Sequence, residues 1–551
     1  MTRKDLYYLL GLVALGFAAV LPGINGTALL GQGDEYMHIA TVRESIDAES
    51  FFLPILNGAT NYHKPPLLFW LGMASEAVFG RSLWAARMPA VLLAILSVLL
   101  VYGTLRTFRT PRLTSFLVAT VYLFSLAIIK FGRLLMMEQA LVASMIGVVF
   151  FFGRYLRHGR MSDVFIAGLI SAVAYLYKGP LFQVYSGLML TAWALCLLWR
   201  FDWQPLRWRG EQKDIRRVFR VGLIFHLPLV VPVLWILTVY FASSSGALLM
   251  QYFFQFENIN KFLEPNQPEM RIFGGWLMYT APWTVLALAM AAAAFRSRVR
   301  STARLAGWVF LMTAVLVTLL HLLPNRKDGY YILPVWPLAL IGMSLLVSFR
   351  GAFFRRAAFW NTVVVALVSI IIVIPGVLLG AGVGFYICSV PAVLIASGVL
   401  LRWHSMNDRA RSMGAVLAGV AVICSFQFAA MPLVDRPDAP AAIQERFTKE
   451  LCVVSDETWD GFVYKNLLPD YDIQHSIPGS PNSCANSERG LIVYRLEDYA
   501  PPPGYERVAA WPVWKEGLGT REILTGLGRP DQLQLDIVYY ESRSEAEEGR
   551  P

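Results

Sequence analysis

Gly33-Asp34-Glu35-Tyr36-Met37-His38 opens a polar stretch that closes with Asn61-Tyr62-His63-Lys64-Pro65-Pro66, and long apolar segments flank it on both sides. Two adjacent carboxylates, two histidines and a lysine therefore lie at the water-facing ends of apolar segments. Unpaired charge beside a membrane costs free energy, so such a cluster calls for a functional reason. We predict that this stretch forms half of an active site.

The composition is that of a multi-span membrane protein. Of 551 residues, 56% are hydrophobic and only 16% are charged, whereas soluble domains have roughly 45–50% apolar and about 25% charged residues. The net charge of +10 is distributed in short basic clusters between apolar runs, as topology signals are. We therefore expect no nucleic-acid partner. The first apolar run lacks a signal-peptidase pattern and is predicted to be a retained anchor.

Thirteen apolar runs approach the length of about 20 residues that a spanning helix needs. Basic residues are concentrated in every second connection, which predicts a cytoplasmic N-terminus and places Gly33–Pro66 and the tail outside the cytoplasm. The predicted spans are 6–24, 83–104, 112–131, 134–153, 162–177, 180–199, 218–242, 275–295, 304–323, 330–349, 358–380, 384–401 and 413–433.

Two regions outside these spans have their own pattern. The first outer loop, about 25–82, contains two helical segments, Glu35–Ile46 and Leu67–Phe79, which we expect to lie in the membrane interface. Residues 1–433 thus form the membrane domain, and 434–551 a small periplasmic α/β domain. Its strand-like segments are 451–455, 490–494 and 532–540. Cys452 and Cys484 in this tail form a disulfide or remain free thiols; the sequence leaves both open.

Three acidic residues are candidates for catalysis. Asp34 and Glu35 either cap the helix that follows or act as a general base or metal ligands. Glu138 lies near the outer end of a span, where a carboxylate is costly unless it is paired or functional. The structural alternative for Glu138 is an ion pair with Arg133.

Cations on the same side predict a phosphate site. Lys64 and Lys178 both lie at outer ends of spans, and the alternative is that they only reach for lipid headgroups. A lipid-linked phosphate would account for both, because lysine binds phosphate as a point charge. Arg271 and Tyr331 add donors on this face, although tyrosines at an interface are ordinarily anchors.

Histidines raise the question of a metal ion. His38 follows Asp34 by one helical turn, and His63 precedes Lys64. Together with Asp34 or Glu138 they could hold a divalent ion such as Zn, Mg or Mn. Their spacing is not that of a known metal motif, so a site without any metal is the alternative.

Asp34-Glu35 soon after the first span, followed by Tyr62-His63-Lys64-Pro65, resembles the GT-C glycosyltransferases. Lys178-Gly179, the loop from Phe256 to Trp283 and Tyr331-Ile332-Leu333-Pro334 fit in the same order. The sequence is most similar to the branch that contains protein O-mannosyltransferases and lipid A aminoarabinose transferases. This resemblance implies a GT-C fold with thirteen transmembrane helices and a small C-terminal periplasmic domain, in a bacterial inner membrane.

The resemblance also implies roles for individual residues. It assigns Asp34 as the catalytic acidic residue, with Glu35 and Glu138 beside it. It makes His38, His63 and Glu269 the candidates for a metal ion, although His38 stands where a Tyr is usual, His63 where a Glu is usual, and Glu269 where a His is expected. The residues implied to bind the donor phosphate are Lys64, Arg271, Tyr331, Lys178 and Tyr62.

The implied reaction is transfer, inverting or related, of a sugar from polyprenyl (undecaprenyl) phosphate to a periplasmic acceptor such as lipid A or another lipid or glycan. Another sugar, or protein as acceptor, is the main alternative. A flippase for lipid-linked sugars is a rival from another class, but it should carry its polar residues near the bilayer midplane. A scaffold that displays the tail leaves the outer acids and lysines unexplained. The partners expected are the lipid donor, the acceptor and membrane lipids.

Overall fold

The structure is a computed structural model, and most of it is helical. It describes residues 3–26, 33–61, 64–199, 208–242, 244–255, 259–263, 265–297, 301–347, 351–378, 381–434, 439–456, 458–480, 483–486, 489–494, 496, 499–514 and 529–542. The helices of the first half are α1 (Arg3–Val20), α2 (Gly33–Asp47), α3 (Leu67–Phe79), α4 (Leu83–Thr107), α5 (Arg112–Leu123), α6 (Leu126–Phe131), α7 (Met137–His158), α8 (Met161–Lys178), α9 (Leu181–Trp199), α10 (Trp208–His226), α11 (Val230–Ala242) and α12 (Ser244–Phe254).

The second half continues the bundle and ends in a sheet. Its helices are α13 (Met270–Tyr279), α14 (Thr284–Ala294), α15 (Thr302–Leu320), α16 (Trp336–Leu346), α17 (Ala352–Leu378), α18 (Val383–Leu401), α19 (Asp408–Ser425), α20 (Met431–Val434), α21 (Ala441–Gln444) and α22 (Thr458–Leu467). The strands are β1 (Ile55–Leu56), β2 (Ala59–Thr60), β3 (Glu450–Val454), β4 (Asp472–Ser476), β5 (Gly490–Val493), β6 (Tyr505–Trp514) and β7 (Gln534–Ser542).

The prediction of a multi-span membrane protein is confirmed. Within the described ranges, nine helices are long and apolar enough to cross a membrane, and a bent pair makes a tenth. The first helix begins with three charged residues, and three further apolar helices in the described ranges are shorter: Leu67–Phe79, Arg112–Leu123 and Leu181–Leu197. Each of the thirteen predicted segments overlaps a helix, but thirteen crossings remain a prediction.

The predicted span 112–131 is divided into α5 and α6, and the predicted span 275–295 was also wrong as a continuous helix. It is divided into α13 and α14, whose axes differ by 108°. The break contains Ala281-Pro282, and a proline has no N–H with which to continue the helical hydrogen bonds. The carbonyl of Ala281 instead accepts a hydrogen bond from the N–H of Leu126, at the start of α6. The bend therefore joins α13–α14 to the segment between α5 and α7.

The two helices predicted in the first outer loop are present as α2 and α3, joined through the short hairpin of β1 and β2. Helix α2 is covered on two sides. Ile39 and Val42 belong to the apolar core of the bundle, whereas Tyr36 and Met37 belong to a separate core shared with the C-terminal region. The loop is thus packed between the membrane bundle and the tail.

The tail forms a small five-stranded sheet in the order β4-β3-β5-β7-β6, in which β3 runs parallel to β4 and β5, and the pairs of β7 are antiparallel. Three of its strands overlap the predicted segments, and β4 and β6 were missed. A disulfide joins Cys452 of β3 to Cys484, which decides between the two alternatives for these cysteines. The residue boundaries of this domain stay a prediction.

Candidate active site

A cavity of about 240 Å³ lies where the end of α8, the start of α9 and the end of α15 meet. Its polar wall consists of three cations, a tyrosine and a histidine: Lys64, Lys178, Arg326, Tyr331 and His321. The rest of the wall is apolar and includes Pro180, Leu181, Val184, Phe253, Phe262, Leu320 and Pro324. This arrangement suits a ligand with an anionic head and a hydrocarbon chain.

Glu138 and Lys178 form an ion pair beside this cavity. Lys178 Nζ lies 2.7 Å from Glu138 Oε1, and the two side chains are only 15% and 7% exposed. Glu138 is in the first turn of α7 and Lys178 in the last turn of α8, where the helix dipoles favour these charges. Lys178 also lies over the ring of Tyr331, 5.4 Å from its centroid. The pair thus holds a cation at the cavity wall.

The alternative of an Arg133–Glu138 pair is wrong. Arg133 is buried and donates instead to carbonyl oxygens at the end of the first helix, with Nη2 3.1 Å from Ala19 O and Nη1 bonded to Pro22 O. It satisfies backbone acceptors that a helix end leaves without partners. Glu138 is therefore left to Lys178 and the cavity.

His38 lies among the predicted catalytic charges. Its Nδ1 is 3.0 Å from the carbonyl oxygen of Leu135, and its ring is buried. Burial lowers the pKa of His38, the charges of Asp34 and Glu138 raise it, and the charge of Lys64 lowers it. All three charges are thus close enough to act on one imidazole. Asp34, from the start of α2, is half-buried at this point.

Glu35 has a structural place rather than the predicted catalytic one. Its carboxylate is fully buried and forms a bidentate pair with Arg87 of α4, at 2.7 Å (Nε to Oε1) and 2.6 Å (Nη2 to Oε2). Oε1 also accepts a hydrogen bond from the N–H of Leu135, at 2.9 Å. A carboxylate with no exposed surface and three donors has nothing left for a substrate. It fastens α2 to the bundle.

The structure presents Arg326 to the cavity in place of Arg271. Arg271 is exposed at the start of α13, whereas Arg326 lines the cavity and its Nε lies 3.1 Å from Asp328 Oδ2. The same Oδ2 accepts a hydrogen bond from the Tyr330 hydroxyl, at 3.1 Å. Sequence reasoning missed Arg326 and His321 as wall residues, although both precede Tyr331 in the same connection.

The metal candidates are not brought together. Within the described ranges, no three His, Cys, Asp or Glu side chains lie close enough to share an ion. Glu269 is exposed and pairs with Lys327, 3.6 Å away. His63 and Tyr62 lie outside the described residues, so their predicted roles have no structural counterpart.

The fold and the site define a class: a polytopic membrane protein with an amphipathic cavity at the ends of its helices and carboxylates beside it. Comparisons with known proteins find similarity to membrane glycosyltransferases. Residues 63–236 match the family model described as dolichyl-phosphate-mannose-protein mannosyltransferase. The chain is 24% identical over 341 residues to the undecaprenyl phosphate-alpha-4-amino-4-deoxy-L-arabinose arabinosyl transferase of Edwardsiella ictaluri, an alignment that covers 60% of this chain and 57% of that one.

The transferase of the same name from Pseudomonas paraeruginosa is 26% identical over 364 residues, which cover 64% of this chain and 62% of the relative. The chain thus spans about three fifths of these relatives. The crystal structure of ArnT from Cupriavidus metallidurans bound to undecaprenyl phosphate has the same fold, with a TM-score of 0.65 over 97% of both chains at 14% identity. The chain therefore has an ArnT-like fold, and part of it matches a family model of membrane glycosyltransferases.

Proposed function

We propose that this protein transfers a sugar from a polyprenyl phosphate carrier to an acceptor outside the cytoplasm. The observation that carries the proposal is the cavity, in which Lys64, Lys178 and Arg326 face a common space with apolar walls. Cations of this kind bind a phosphate, and the apolar wall accepts the start of a polyprenyl chain. The relatives' names support undecaprenyl phosphate as the carrier and 4-amino-4-deoxy-L-arabinose as the sugar.

The residues suit a single displacement. Asp34 takes the proton from the acceptor's O–H group, and the freed oxygen forms a bond to the anomeric carbon of the sugar. The bond between that carbon and the carrier's phosphate oxygen breaks, and its electron pair stays on the phosphate. Lys64, Arg326 and the Tyr331 hydroxyl stabilise the charge that develops there. One displacement of this kind inverts the configuration at the anomeric carbon.

Glu138 has an indirect part in this scheme. Its carboxylate holds Lys178 at the cavity wall, and its charge acts on His38 together with that of Asp34. It therefore orients groups around the acceptor rather than taking the proton itself. Lipid A is the acceptor we propose, and a protein or glycan is the alternative that the mannosyltransferase family match keeps open.

The placement of the charges favours an enzyme over a flippase. Glu138 and Lys178 are in the terminal turns of α7 and α8, and Lys64 and Arg326 lie between helices. A transporter would carry such groups near the middle of its spans. We place this end of the bundle and the sheet domain on the periplasmic side of the bacterial inner membrane, which agrees with the Cys452–Cys484 disulfide.

The test uses the purified full-length chain in nanodiscs with undecaprenyl phosphate-linked aminoarabinose and lipid A. Mass spectrometry should detect aminoarabinose on lipid A and release of undecaprenyl phosphate. Lipid A and periplasmic glycans from cells with and without the gene identify the acceptor in vivo. The proposal is wrong if no donor sugar tried leads to release of undecaprenyl phosphate and if cells with and without the gene have the same lipid A and glycans.

A further inference from the structure

His321 lines the cavity, but neither the sequence analysis nor the proposed mechanism gives it a role. It is the residue after α15, it is 3% exposed, and it lines the cavity beside Lys178 and Tyr331. Its ring centroid lies 4.9 Å from that of Tyr331. The small exposed part of the imidazole therefore faces the space where the proposed phosphate binds.

Tyr185 determines which nitrogen of His321 carries the proton. The Tyr185 hydroxyl lies 2.5 Å from His321 Nε2, and the tyrosine is 2% exposed. In the described part of the chain, this hydroxyl has no second acceptor. If Nε2 kept a proton, the phenolic hydrogen would be buried without a partner, which costs free energy. We therefore assign the phenol as donor, Nε2 as acceptor and Nδ1 as the protonated nitrogen.

His321 is a neutral donor in this arrangement. Burial, and secondarily the charge of Lys178, lowers the pKa of His321 to about 3. Among the described residues the Nδ1–H of His321 has no acceptor. Nε2 of His38 is enclosed and has no partner, whereas Nδ1 of His321 is not enclosed. The hydrogen bond that it can make is thus left for a ligand in the cavity.

We propose that the Nδ1–H of His321 donates a hydrogen bond to a phosphate oxygen of the polyprenyl carrier, and that Tyr185 holds the imidazole in the tautomer that does so. This inference rests on the proposed function and adds a binding residue to it. The physical benefit is specific. The sugar-loaded carrier is a phosphodiester with one negative charge, whereas the released monoester has nearly two at neutral pH. A neutral donor binds both without the extra attraction for the product that another cation would add.

Two variants separate this role from a packing role. The amide nitrogen of asparagine can occupy the position of Nδ1, so His321→Asn keeps the donor in the cavity and loses the Tyr185 contact. The amide of glutamine reaches the position of Nε2, so His321→Gln keeps the Tyr185 contact and loses the cavity donor. A third variant, Tyr185→Phe, leaves the ring in place but frees the choice of tautomer.

The experiment measures the affinity of the full-length protein in nanodiscs for undecaprenyl phosphate, with undecaprenol as the control without phosphate. We expect His321→Gln to weaken undecaprenyl phosphate binding about tenfold, His321→Asn to stay within about threefold of the unaltered protein, and Tyr185→Phe to fall between them. Undecaprenol binding should be equal in all four proteins. Between pH 6 and 8 the ratio of the His321→Gln and unaltered affinities should stay constant, because His321 does not titrate there.

Three results would overturn parts of this picture. Equal affinity of His321→Gln and the unaltered protein, or a larger loss for His321→Asn than for His321→Gln, removes His321 from the phosphate site. A similar loss of undecaprenol binding means that the residue only shapes the cavity. Failure of the unaltered protein to bind undecaprenyl phosphate overturns the proposed function itself, together with this inference.

Discussion

At the scale of single residues, neighbours in the chain have opposite environments. Asp34 and Glu35 are adjacent in the first turn of α2, so their side chains point about 100° apart around the helix. Glu35 faces the bundle and is fully buried against Arg87, whereas Asp34 remains half-buried near His38. Only one of the two carboxylates is free for a substrate.

Substitution of these two acids should therefore have different effects. Asp34→Asn should lower the transfer rate by at least about 100-fold with unchanged expression and thermal stability, because a general base contributes about 10²–10⁴-fold. Glu35→Gln should instead destabilise the protein by about 3–5 kcal/mol, because Arg87 is left as an unpaired buried charge. Transfer assays and thermal unfolding of the same preparations decide this. Full activity of Asp34→Asn would remove Asp34 from the mechanism.

Arg326 and Arg271 provide a test variant and its matched control. Arg326→Ala should weaken undecaprenyl phosphate binding by roughly 10- to 100-fold, because a hydrogen bond to a charged group contributes about 1.5–3 kcal/mol. Arg271→Ala should change it by less than about threefold, since Arg271 is exposed at the start of α13. Affinities measured side by side in nanodiscs provide the test. The reverse order of the two variants would mean that the carrier phosphate lies nearer to α13 than the cavity does.

At the scale of elements, α2 is held by the bundle on one side and by the tail on the other. Asn466 of α22 donates through Nδ2 to the carbonyl oxygen of Tyr36, at 2.7 Å, two residues after Asp34. Arg43 of α2 pairs with Glu76 of α3, at 3.1 Å, and donates through Nη1 to the carbonyl oxygen of Asn466, at 3.0 Å. The sheet domain thus helps to place the end of α2 that carries Asp34.

Removing one partner of the Arg43–Glu76 ion pair should lower stability more than replacing both partners with apolar residues. Arg43→Met leaves the buried Glu76 without its cation and should lower the free energy of unfolding by about 3–5 kcal/mol. The double variant Arg43→Met/Glu76→Met should recover most of that loss, because two apolar side chains need no charged partner. Chemical unfolding in detergent measures both. A double variant no more stable than Arg43→Met would show that the ion pair is not what holds the junction.

At the scale of the whole molecule, buried histidines make the native state sensitive to acid. The pKa of His321 is about 3 in the folded protein, against about 6.5 in an unfolded chain. Above pH 6.5 the residue is neutral in both states. As the pH falls from 6.5 towards 3, only the unfolded chain takes up this proton, so the stability of the folded protein decreases. The pKa of His38 is shifted in the same direction by burial.

This linkage predicts the effect of removing one histidine. The unaltered protein should lose up to about 1.4 kcal/mol per pH unit for each such histidine below pH 6.5. His321→Asn should lose less stability between pH 6.5 and 4.5, because asparagine does not titrate. Unfolding midpoints from pH 7.5 to 4.5 measure the difference. Parallel curves for the two proteins would contradict a neutral, buried His321.

Local pattern was enough to predict several elements. Helix α3 is apolar and aromatic after two prolines, and β3 and β5 are continuous apolar runs, so their residues alone indicate them. Strand β4 has Ile473 as its one apolar residue and lies within a polar region, and β6 contains Pro512 near its end, which is unusual in a strand. Those two were missed because pairing with neighbours, rather than their own sequence, makes them strands.

The amino-acid sequence alone determined that the chain is a multi-span membrane protein with charged residues at one set of helix ends, because apolar length and charge distribution are local properties. It also indicated Asp34, Lys64 and Lys178 as candidates. Only the tertiary structure decided that Glu35 forms a buried ion pair with Arg87, that Lys178 is paired with Glu138, and that Arg326 and His321 line the cavity. These partners are distant in the chain, and side-chain direction and contact arise only when the helices pack.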